Sequence, residues 1–584
     1  MLIVPGGYRN AYCETRGGLC PGEIPQRPVM VEFGQTRKLL LMLKILGGMA
    51  AAAMGALLTA QSYGTAEVAT YVSRVDDSEQ PYALYVPPGL NSAGRGRKYP
   101  LVIALHAEES NAEIGLMRVF GQNTRVADGS LAPLRLFRPR DVDFLVASPL
   151  ARGTMGFEGI AERDVYDVLA DVERRFPVDE DRVYLTGVSM GGGGALRLAL
   201  TRPDVWAAVA VVCGDVPPGI EWLAGNALHL PVRLFHGDLD PLVPAESSRQ
   251  WQRRLLDLGV PAEYIEYPAV RHNAWDNAYR GGAIFEWFSQ FQRQKFPRRV
   301  RFTTDSYRYG AAYWVRIDGL TPGVAASIDA QQTGDSEVRV ETRNLDGFTL
   351  ALDHPVTAVT IDGAALRLPK GGAVSFHKQA GQWQRGALGR GGKAPGAEGP
   401  MSEAVSGRHI YVYGSGGTSS SDEMDERRHQ AEEAAAWSTP RERLRLKLPV
   451  KADIDVTEQD IANDDLVLFG NRETNSVIAR FADRLPLALS PGAADYGLLF
   501  IAPVGAHYVL VNSGLSFWTG WEGPGKPVDH FAPKLYQELS TLGDFLVFKG
   551  SMAHVVASGR FDRQWRLPAE AAAALEATGT VTMK

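Results

Sequence analysis

The residues best suited to chemistry lie in the segment GVSMG at residues 187–191. A strand pattern over 182–186 precedes this segment, and a helical run of small residues begins at Gly192. Strand, sharp turn and helix form the setting of a nucleophile elbow, in which the serine backbone is strained and glycine on either side avoids a collision. The helix N-terminus also directs backbone amides toward a developing negative charge. We therefore predict that Ser189 is a nucleophile.

A serine nucleophile needs two further groups, because its hydroxyl reacts poorly at neutral pH. A histidine must accept the proton, and a carboxylate must hold that histidine in the right tautomer. After a serine in a strand-turn-helix setting, the acid comes first along the chain and the histidine second. The predicted strand 232–236 is followed by two acids, Asp238 and Asp240, and either could supply the carboxylate.

The predicted base is His272, which lies in the segment YPAVRHNAW at residues 267–275. This segment follows a strand and precedes a closing helix over 283–292, so that it completes the order serine, acid, histidine. A lone histidine is more often a solvated or core side chain, but here an elbow and an acid loop stand at the expected places. His236, at a strand end, and His229, in a loop, are the weaker alternatives.

An oxyanion hole for acyl transfer needs two backbone amides. One is expected from Met190, which follows the nucleophile, and the other from the loop after the predicted strand 99–106. That loop continues Ala107-Glu108-Glu109. Alanine restricts the backbone where glycine is more usual, and two acids would oppose a developing negative charge. We expect Glu108 to contribute its amide and nothing more.

The elements that must position these residues run from residue 68 to 291, where short apolar runs alternate with helical patterns. Such alternation predicts a mostly parallel sheet covered by helices on both faces. The strand-length runs are 99–106, 142–148, 183–187, 206–212 and 232–236. The helical patterns are 160–176, 192–201 and 246–258.

Two changes of pattern after residue 297 predict further units. Short alternating runs between turn signals predict a small β-sandwich, a Gly/Pro-rich stretch without periodicity predicts a linker, and strand and helix alternation returns from His409. The predicted boundaries are 1–66 for a leader, 67–298 for the first α/β domain, 299–385 for the β-sandwich domain, 386–405 for the linker, 406–560 for a C-terminal α/β domain and 561–584 for a tail.

Composition excludes several classes of function. The net charge is only -6, from 61 basic and 67 acidic residues, and no long basic stripe is present, so no nucleic-acid partner is expected. Neither a metal-ligand cluster nor a dinucleotide fingerprint is convincing, so neither metal nor cofactor is expected. The glycine-rich stretch 414–417 lacks the rest of a phosphate-binding motif and is predicted to be a strand-to-helix turn. Packing is the expected role of Trp518, Trp521 and Trp565.

The N-terminal region predicts export. An apolar run covers 39–60, and a start at Met42 would give Lys44 as a positive end, an Ala/Gly-rich core and a small-x-small cleavage site near Ala66. The run is too rich in Ala and Gly for a stable membrane span, so we expect a secreted or periplasmic protein. Cleavage would leave Cys213 as the single cysteine and no disulfide framework.

Several motifs together resemble one family. The segments 187–191, 236–244 and 272–275, with the stretch 160–181, resemble secreted α/β-hydrolases grouped around polyhydroxybutyrate-depolymerase-like and feruloyl-type esterases, and also the catalytic domain of prolyl-oligopeptidase family peptidases. The resemblance covers about residues 68–293 and implies an α/β-hydrolase domain there. The segment from Arg301 to Trp314 is similar to the β-domain that follows such domains in some large secreted bacterial proteins, and the C-terminal α/β domain rests on the sequence pattern alone. It also favours Asp240 over Asp238, because HGxxDxxVP is similar to the family's acid loop.

The sequence is compatible with three functions. The favoured one is hydrolysis of a carboxylic ester, carried by a small molecule or a polymer, through Ser189, His272 and Asp240. A prolyl-oligopeptidase-type peptidase could use the same residues, but the propeller that usually precedes such a domain is not visible. The third is a polymer- or partner-binding protein with a degenerate triad. Trp275 and Trp222 are the candidate substrate-binding residues, and the oligomeric state is not predicted.

Overall fold

The computed structural model describes residues 64–90, 96–122, 124–125, 130–153, 155–321, 323–369, 372–389, 391–417, 421–438, 446, 448–490, 492–518 and 539–584. The predicted signal sequence, with Cys13 and Cys20, and Trp521 lie outside these residues. Among the helices that are described, none is long and apolar enough to cross a membrane.

The first region contains an eight-stranded sheet in the order β1-β2-β4-β3-β5-β6-β7-β8. The strands β3 to β8 are parallel to one another, whereas β2 is antiparallel to both β1 and β4. The strands are β1 (Thr65–Val72), β2 (Glu79–Val86), β3 (Tyr99–Leu105), β4 (Leu145–Pro149), β5 (Val178–Val188), β6 (Ala208–Val212), β7 (Val232–Gly237) and β8 (Ala262–Tyr267).

Helices cover both faces of this sheet, as the alternating pattern predicts. They are α1 (Ala112–Val119), α2 (Ile160–Arg175), α3 (Met190–Thr201), α4 (Ala245–Asp257), α5 (Trp275–Ala278) and α6 (Ala283–Phe288), with 3-10 turns at Leu134–Leu136, Glu221–Ala227 and Arg280–Gly282. One core cluster joins Val165 of α2 and Leu196 of α3 to the sheet, and the other joins Ile114 of α1 and Phe285 of α6. Burial on both faces explains why the sequence of β3, YPLVIAL, is apolar throughout.

Two element boundaries differ from the predicted ones. Strand β5 begins at Val178, five residues before the predicted start, because the polar run 179–182 already has extended backbone. Helix α6 ends at Phe288, four residues before the predicted end. These differences leave unchanged the ends of β5 and β7, from which Ser189 and Asp240 project.

The middle region consists of two five-stranded sheets, in the orders β10-β11-β14-β17-β18 and β16-β15-β13-β12-β9. Phe302 and Ile328 of one sheet share a core with Phe348 and Phe376 of the other. The strands are β9 (Arg299–Thr304), β10 (Ala311–Ala312), β11 (Val315–Leu320), β12 (Ala326–Gln332), β13 (Glu337–Arg343), β14 (Leu345–Leu350), β15 (Ala358–Ile361), β16 (Ala364–Arg367), β17 (Val374–Gln379) and β18 (Gln382–Arg385), with a 3-10 turn at Tyr307–Tyr309.

The C-terminal region contains a seven-stranded mixed sheet in the order β20-β19-β21-β24-β23-β25-β26 and a two-stranded sheet, β22-β27. The strands are β19 (His409–Tyr413), β20 (Val450–Ala452), β21 (Asp465–Phe469), β22 (Leu487–Leu489), β23 (Tyr496–Val504), β24 (His507–Gly514), β25 (Phe545–Lys549), β26 (Val555–Gly559) and β27 (Val581–Met583). The helices are α7 (Ser421–Ser438), α8 (Glu458–Asn463), α9 (Ser476–Phe481) and α10 (Ala569–Thr578), with 3-10 turns at Met401–Val405 and Asp453–Asp455.

Two segments expected to be loose are packed instead. The predicted linker 386–405 contains two buried ionisable residues: Lys393 pairs with Asp544, and Glu398 accepts a hydrogen bond from the Arg308 amide at 2.6 Å. The predicted tail 561–584 forms α10 and β27, because Leu575 is buried in the core and β27 pairs with β22. Both differences arise from contacts with distant residues, which Gly/Pro and Ala composition does not reveal.

Candidate functional site

Ser189 lies at the turn between β5 and α3 and has a strained backbone. Its φ of 55° and ψ of -123° lie in a region that residues with side chains rarely adopt. A Cβ atom at Gly187 would lie 2.1 Å from the Gly191 carbonyl oxygen, and one at Gly191 would lie 2.5 Å from the His106 carbonyl oxygen. Glycine is therefore required on both sides of Ser189, for the reason that the GVSMG pattern suggests.

Ser189, His272 and Asp240 form a continuous chain of hydrogen bonds. His272 lies in the loop between β8 and α5, with its Nε2 atom 2.9 Å from the Ser189 Oγ. Asp240 lies in the loop after β7, with its Oδ2 atom 2.7 Å from His272 Nδ1. When the imidazole proton is on Nδ1, that nitrogen donates to Asp240 and the Ser189 hydroxyl donates to Nε2. The structure thus brings together the three residues predicted from distant stretches of sequence.

Asp240 is held as an ion. Burial of its side chain raises the pKa, but hydrogen bonds from His272 and from the amides of Val243 and Leu242 outweigh burial and keep the pKa of the carboxyl below its ordinary value. The Leu242 and Val243 amides donate to Oδ1 at 2.9 and 3.0 Å, which leaves Oδ2 for His272. A negative charge beside the imidazole favours its protonated form during proton transfer.

The alternative residues have other surroundings. Asp238 is exposed, and His229 Nε2 lies against the Arg299 carbonyl oxygen at the start of β9. His236 is fully buried, with Nδ1 2.8 Å from Ser248 Oγ and Nε2 3.2 Å from Asp240 Oδ2. The sequence presented His236 as a rival of His272. The structure places it behind Asp240, where its Nε2 atom faces both the Val243 carbonyl oxygen, at 3.0 Å, and Asp240 Oδ2.

The two predicted oxyanion donors lie on neighbouring elements. Met190 begins α3, and the first amides of a helix have no acceptor within the helix. Glu108 is half-buried in the loop after β3, whose start is fixed by the His106 ring, 2.8 Å from Ala107 O and 3.0 Å from Leu150 O. The close approach of Gly191 to the His106 carbonyl brings the helix start directly against this loop.

The two candidate tryptophans lie in different places. The Trp275 ring meets the His272 ring edge to face, at a centroid distance of 5.7 Å, and the Arg118 guanidinium lies over it at 4.4 Å. Trp222 is 39% exposed and lines a separate groove of about 650 Å³ with residues of α4 and β9. None of the three hydrogen-bonded residues lines that groove, so the expectation that Trp222 contacts the substrate of Ser189 finds no support in its position.

One group in the described part of the chain has metal-ligand spacing: Cys213, Asp240 and His272, with ligand atoms within 4.8 Å of one another. The donors are already engaged, since the Cys213 thiol donates to the His272 carbonyl at 3.1 Å and the imidazole joins Asp240 to Ser189. Burial raises the pKa of the Cys213 thiol well above its ordinary value, so the thiolate that a metal would need is disfavoured. The arrangement suits proton transfer better than metal binding.

We expect the Cys213 thiol to resist alkylation in the folded protein. A buried, neutral thiol reacts slowly because the thiolate is the nucleophile. Iodoacetamide at pH 8 should leave the Cys213 peptide unmodified in native protein and modify it fully in urea, as measured by mass spectrometry of the peptides. Rapid alkylation of the native protein at this peptide would contradict the burial of the thiol.

The glycine-rich stretch 414–417 is a turn in which the Ser415 amide is hydrogen-bonded to another residue of the chain. The amide and hydroxyl of Ser415 donate to Asp453 Oδ1 at 2.7 and 2.6 Å, and the Ser476 amide donates to the other oxygen. A carboxylate of the chain thus stands where a phosphate would bind. Trp518 donates to Glu433 at 2.9 Å, and Trp565 packs against Phe561, as expected of packing residues.

Comparison with known proteins relates this site to esterases. Residues 161–280 match a family model described as phospholipase/carboxylesterase. The chain is 35% identical over 182 residues to a putative esterase, NocK, from Nocardia uniformis subsp. tsuyamanensis, covering 28% of this chain and 46% of that protein. It is 29% identical over 119 residues to cutinase 2 from Thermobifida cellulosilytica (20% and 44% covered) and 27% identical over 212 residues to a probable feruloyl esterase C from Aspergillus terreus (35% and 72% covered).

The chain spans less than half the length of the first two of these relatives. The segment 161–280 that the family model matches nevertheless contains all three hydrogen-bonded residues. Together with the parallel sheet and the turn at Ser189, the matches confirm the predicted resemblance of this region to serine esterases with the α/β-hydrolase fold.

Proposed function

We propose that the chain is a serine hydrolase that cleaves carboxylic esters through Ser189, His272 and Asp240. The observation that carries this proposal is the unbroken hydrogen-bond chain, with 2.9 Å from serine oxygen to imidazole and 2.7 Å from imidazole to carboxylate. These distances lie within the range that general-base activation of a nucleophile requires. The three relatives described above, named as an esterase, a cutinase and a feruloyl esterase, support the same chemistry.

The reaction would proceed in two halves. The Ser189 oxygen attacks the acyl carbon while His272 Nε2 takes its proton, and Asp240 stabilises the resulting imidazolium. The alcohol leaves with the proton returned from Nε2, and the acyl group remains on the serine. Water then attacks the acyl carbon, with His272 again as the base, and releases the carboxylic acid. The amides of Met190 and Glu108 are the proposed donors to the negative oxygen in each tetrahedral intermediate.

The substrate class, the cellular location and the domain organisation are proposed from the relatives, the N-terminal sequence and the separate sheets. Relatives named as cutinases and a feruloyl esterase favour an ester on a small molecule or a polymer, with Trp275 beside His272 as one wall of the acyl site. Export to the periplasm or the exterior is supported by the N-terminal sequence pattern. The separate sheets and cores of the three regions support their being an α/β-hydrolase domain, a β-sandwich domain and a C-terminal α/β domain.

Covalent labelling tests the proposal. A fluorophosphonate reacts with a serine that a neighbouring base activates, so the wild-type protein should be labelled and Ser189→Ala should not. Ser289→Ala, which removes an exposed hydroxyl, is the matched control and should be labelled like the wild type. An unreactive wild-type protein would instead support the non-catalytic, binding role.

Substrate comparison separates an esterase from a peptidase. We expect p-nitrophenyl esters of short to medium chain length and feruloyl esters to be hydrolysed by wild-type protein and not by Ser189→Ala. A prolyl amide should be cleaved far more slowly than the esters. Preferential cleavage of the amide, with the same dependence on Ser189, would assign the site to a peptidase.

A further inference from the structure

A cavity of about 560 Å³ lies where the three regions of the chain meet. Helix α2 and the turn between β1 and β2 form its wall in the first region, Arg308 lines it from the middle region, and the segment 396–408 with the turn between β23 and β24 completes it. Ser189, His272 and Asp240 do not line it. The proposed esterase chemistry therefore gives this cavity no role.

Cationic side chains from all three regions converge on this cavity. Two of its arginines have carboxylate partners nearby: Arg308 lies 3.2 Å from Glu403, and Arg408 lies 2.9 Å from Asp464. The remaining three, Arg74, Arg163 and Arg202, form no ion pair with any residue that the structure describes. Among the described residues, these three guanidinium groups thus have no carboxylate within ion-pair distance, and they share one cavity.

The acids of the cavity do not compensate for these arginines. Glu162 is bound by Arg197 at 2.8 Å, and Asp465 by the Tyr508 amide at 2.8 Å. Burial raises the pKa of Glu398 to about 8, so this carboxyl is mostly neutral at pH 7. With Glu398 neutral, the described lining has five arginines and four other carboxylates, Glu162, Asp167, Glu403 and Asp465. The lining therefore carries a small excess of positive charge.

Two contacts fix the direction of the cationic groups. Arg163 donates from Nε to the Ser406 carbonyl at 2.6 Å, which leaves its terminal nitrogens available to the cavity. The Arg202 guanidinium lies over the Tyr166 ring at 5.0 Å from the ring centroid. The Tyr166 hydroxyl is buried at the same cavity and has no hydrogen-bond partner among the residues that the structure describes. A buried hydroxyl without a partner costs about 1–3 kcal/mol, so a polar ligand at this place would remove a penalty.

We propose that this cavity binds a small organic polyanion, bearing phosphate or carboxylate groups, through Arg163, Arg202 and Arg74 with the Tyr166 hydroxyl. Guanidinium groups match phosphate and carboxylate oxygens in paired hydrogen bonds, and the volume is that of an ordinary small-molecule site. All four proposed ligands belong to the first region, and the middle and C-terminal regions close the cavity around them. A bound anion would stabilise the folded protein by mass action.

The test measures binding of two probes, pyrophosphate and citrate, by isothermal titration calorimetry on the full chain, with sodium chloride at matched ionic strength as the reference. At least one probe should bind and raise the Tm. Arg163→Gln and Arg202→Gln should each weaken binding about tenfold or more, because each removes a charge-assisted hydrogen bond. Arg385→Gln, which removes an exposed arginine on β18, should leave binding unchanged.

Each result decides the proposal or identifies the ligand group. Binding of pyrophosphate alone assigns the site to phosphates, and binding of citrate alone assigns it to carboxylates. Absence of binding by both probes at millimolar concentration, or equal weakening by Arg385→Gln, overturns the proposal. Arg74 is exposed, so Arg74→Gln keeps the test valid if the other two variants unfold. Hydrolysis of p-nitrophenyl esters should stay unchanged in all these variants, which separates this site from that of Ser189.

Discussion

Replacing His272 by alanine should reduce kcat for a p-nitrophenyl ester by about a million-fold. Losses of this order follow when the histidine is removed from a serine, histidine and aspartate that act together. Without the imidazole 2.9 Å away, the Ser189 hydroxyl has no acceptor for its proton and the leaving alcohol has no donor. KM should change little, because His272 acts on the reacting atoms and contributes little to binding the ester beforehand. Single-turnover and steady-state kinetics measure both quantities.

Double substitution sharpens this prediction. Ser189 and His272 act in the same step, so removing either one already removes the contribution of both to kcat. The double variant Ser189→Ala with His272→Ala should therefore be no slower than either single variant. His354→Ala removes a histidine of the middle region and should keep full activity. Losses that multiply in the double variant, or more than a tenth of wild-type activity in His272→Ala, would show that the two side chains do not act together.

The sequence predicts the sheet, and the meeting of Ser189, Asp240 and His272 at its edge, because the determinants of both are local. The apolar run of β3, the alternation of strands with helices, and the spacing of GVSMG each depend on neighbours along the chain. The turn at Ser189 requires glycine at 191 for steric reasons. A Cβ there would meet backbone atoms of Leu105 and His106, at the end of another predicted strand. Strand order alone then brings the loops after β5, β7 and β8 to one edge of the sheet.

Other features depend on contacts between distant residues, which no local pattern encodes. Lys393, in a segment that reads as a linker, is buried because its ammonium meets Asp544, 151 residues later. Trp222 is a candidate substrate-binding residue from the sequence, but it lines a separate groove together with residues of α4 and β9. His236 could be recognised as a support for Asp240 only from the 3.2 Å contact between them, although its place at the end of β7 was visible in the sequence.

Asp240→Asn should lower kcat/KM by about ten-thousand-fold, the loss that follows when the carboxylate of such a unit becomes an amide. The Leu242 and Val243 amides hold Oδ1, so the new amide nitrogen must take the place of Oδ2, facing His272. That nitrogen donates to Nδ1 and moves the imidazole proton to Nε2. A protonated Nε2 cannot accept the Ser189 proton, so the serine is present but inactive. Asp238→Asn, two residues away and exposed, should change kcat/KM less than twofold.

The same variant should also change how stability depends on pH. Because the pKa of Asp240 is lower in the folded protein than in the unfolded chain, the carboxylate stabilises the fold above the unfolded value of about 3.9. That contribution is lost as the pH falls through the lower, folded value. The difference in urea unfolding free energy between wild type and Asp240→Asn should therefore be constant near pH 7 and shrink below about pH 4. A difference that grows on acidification would mean that Asp240 is not held as an ion, and the orientation of His272 would need another cause.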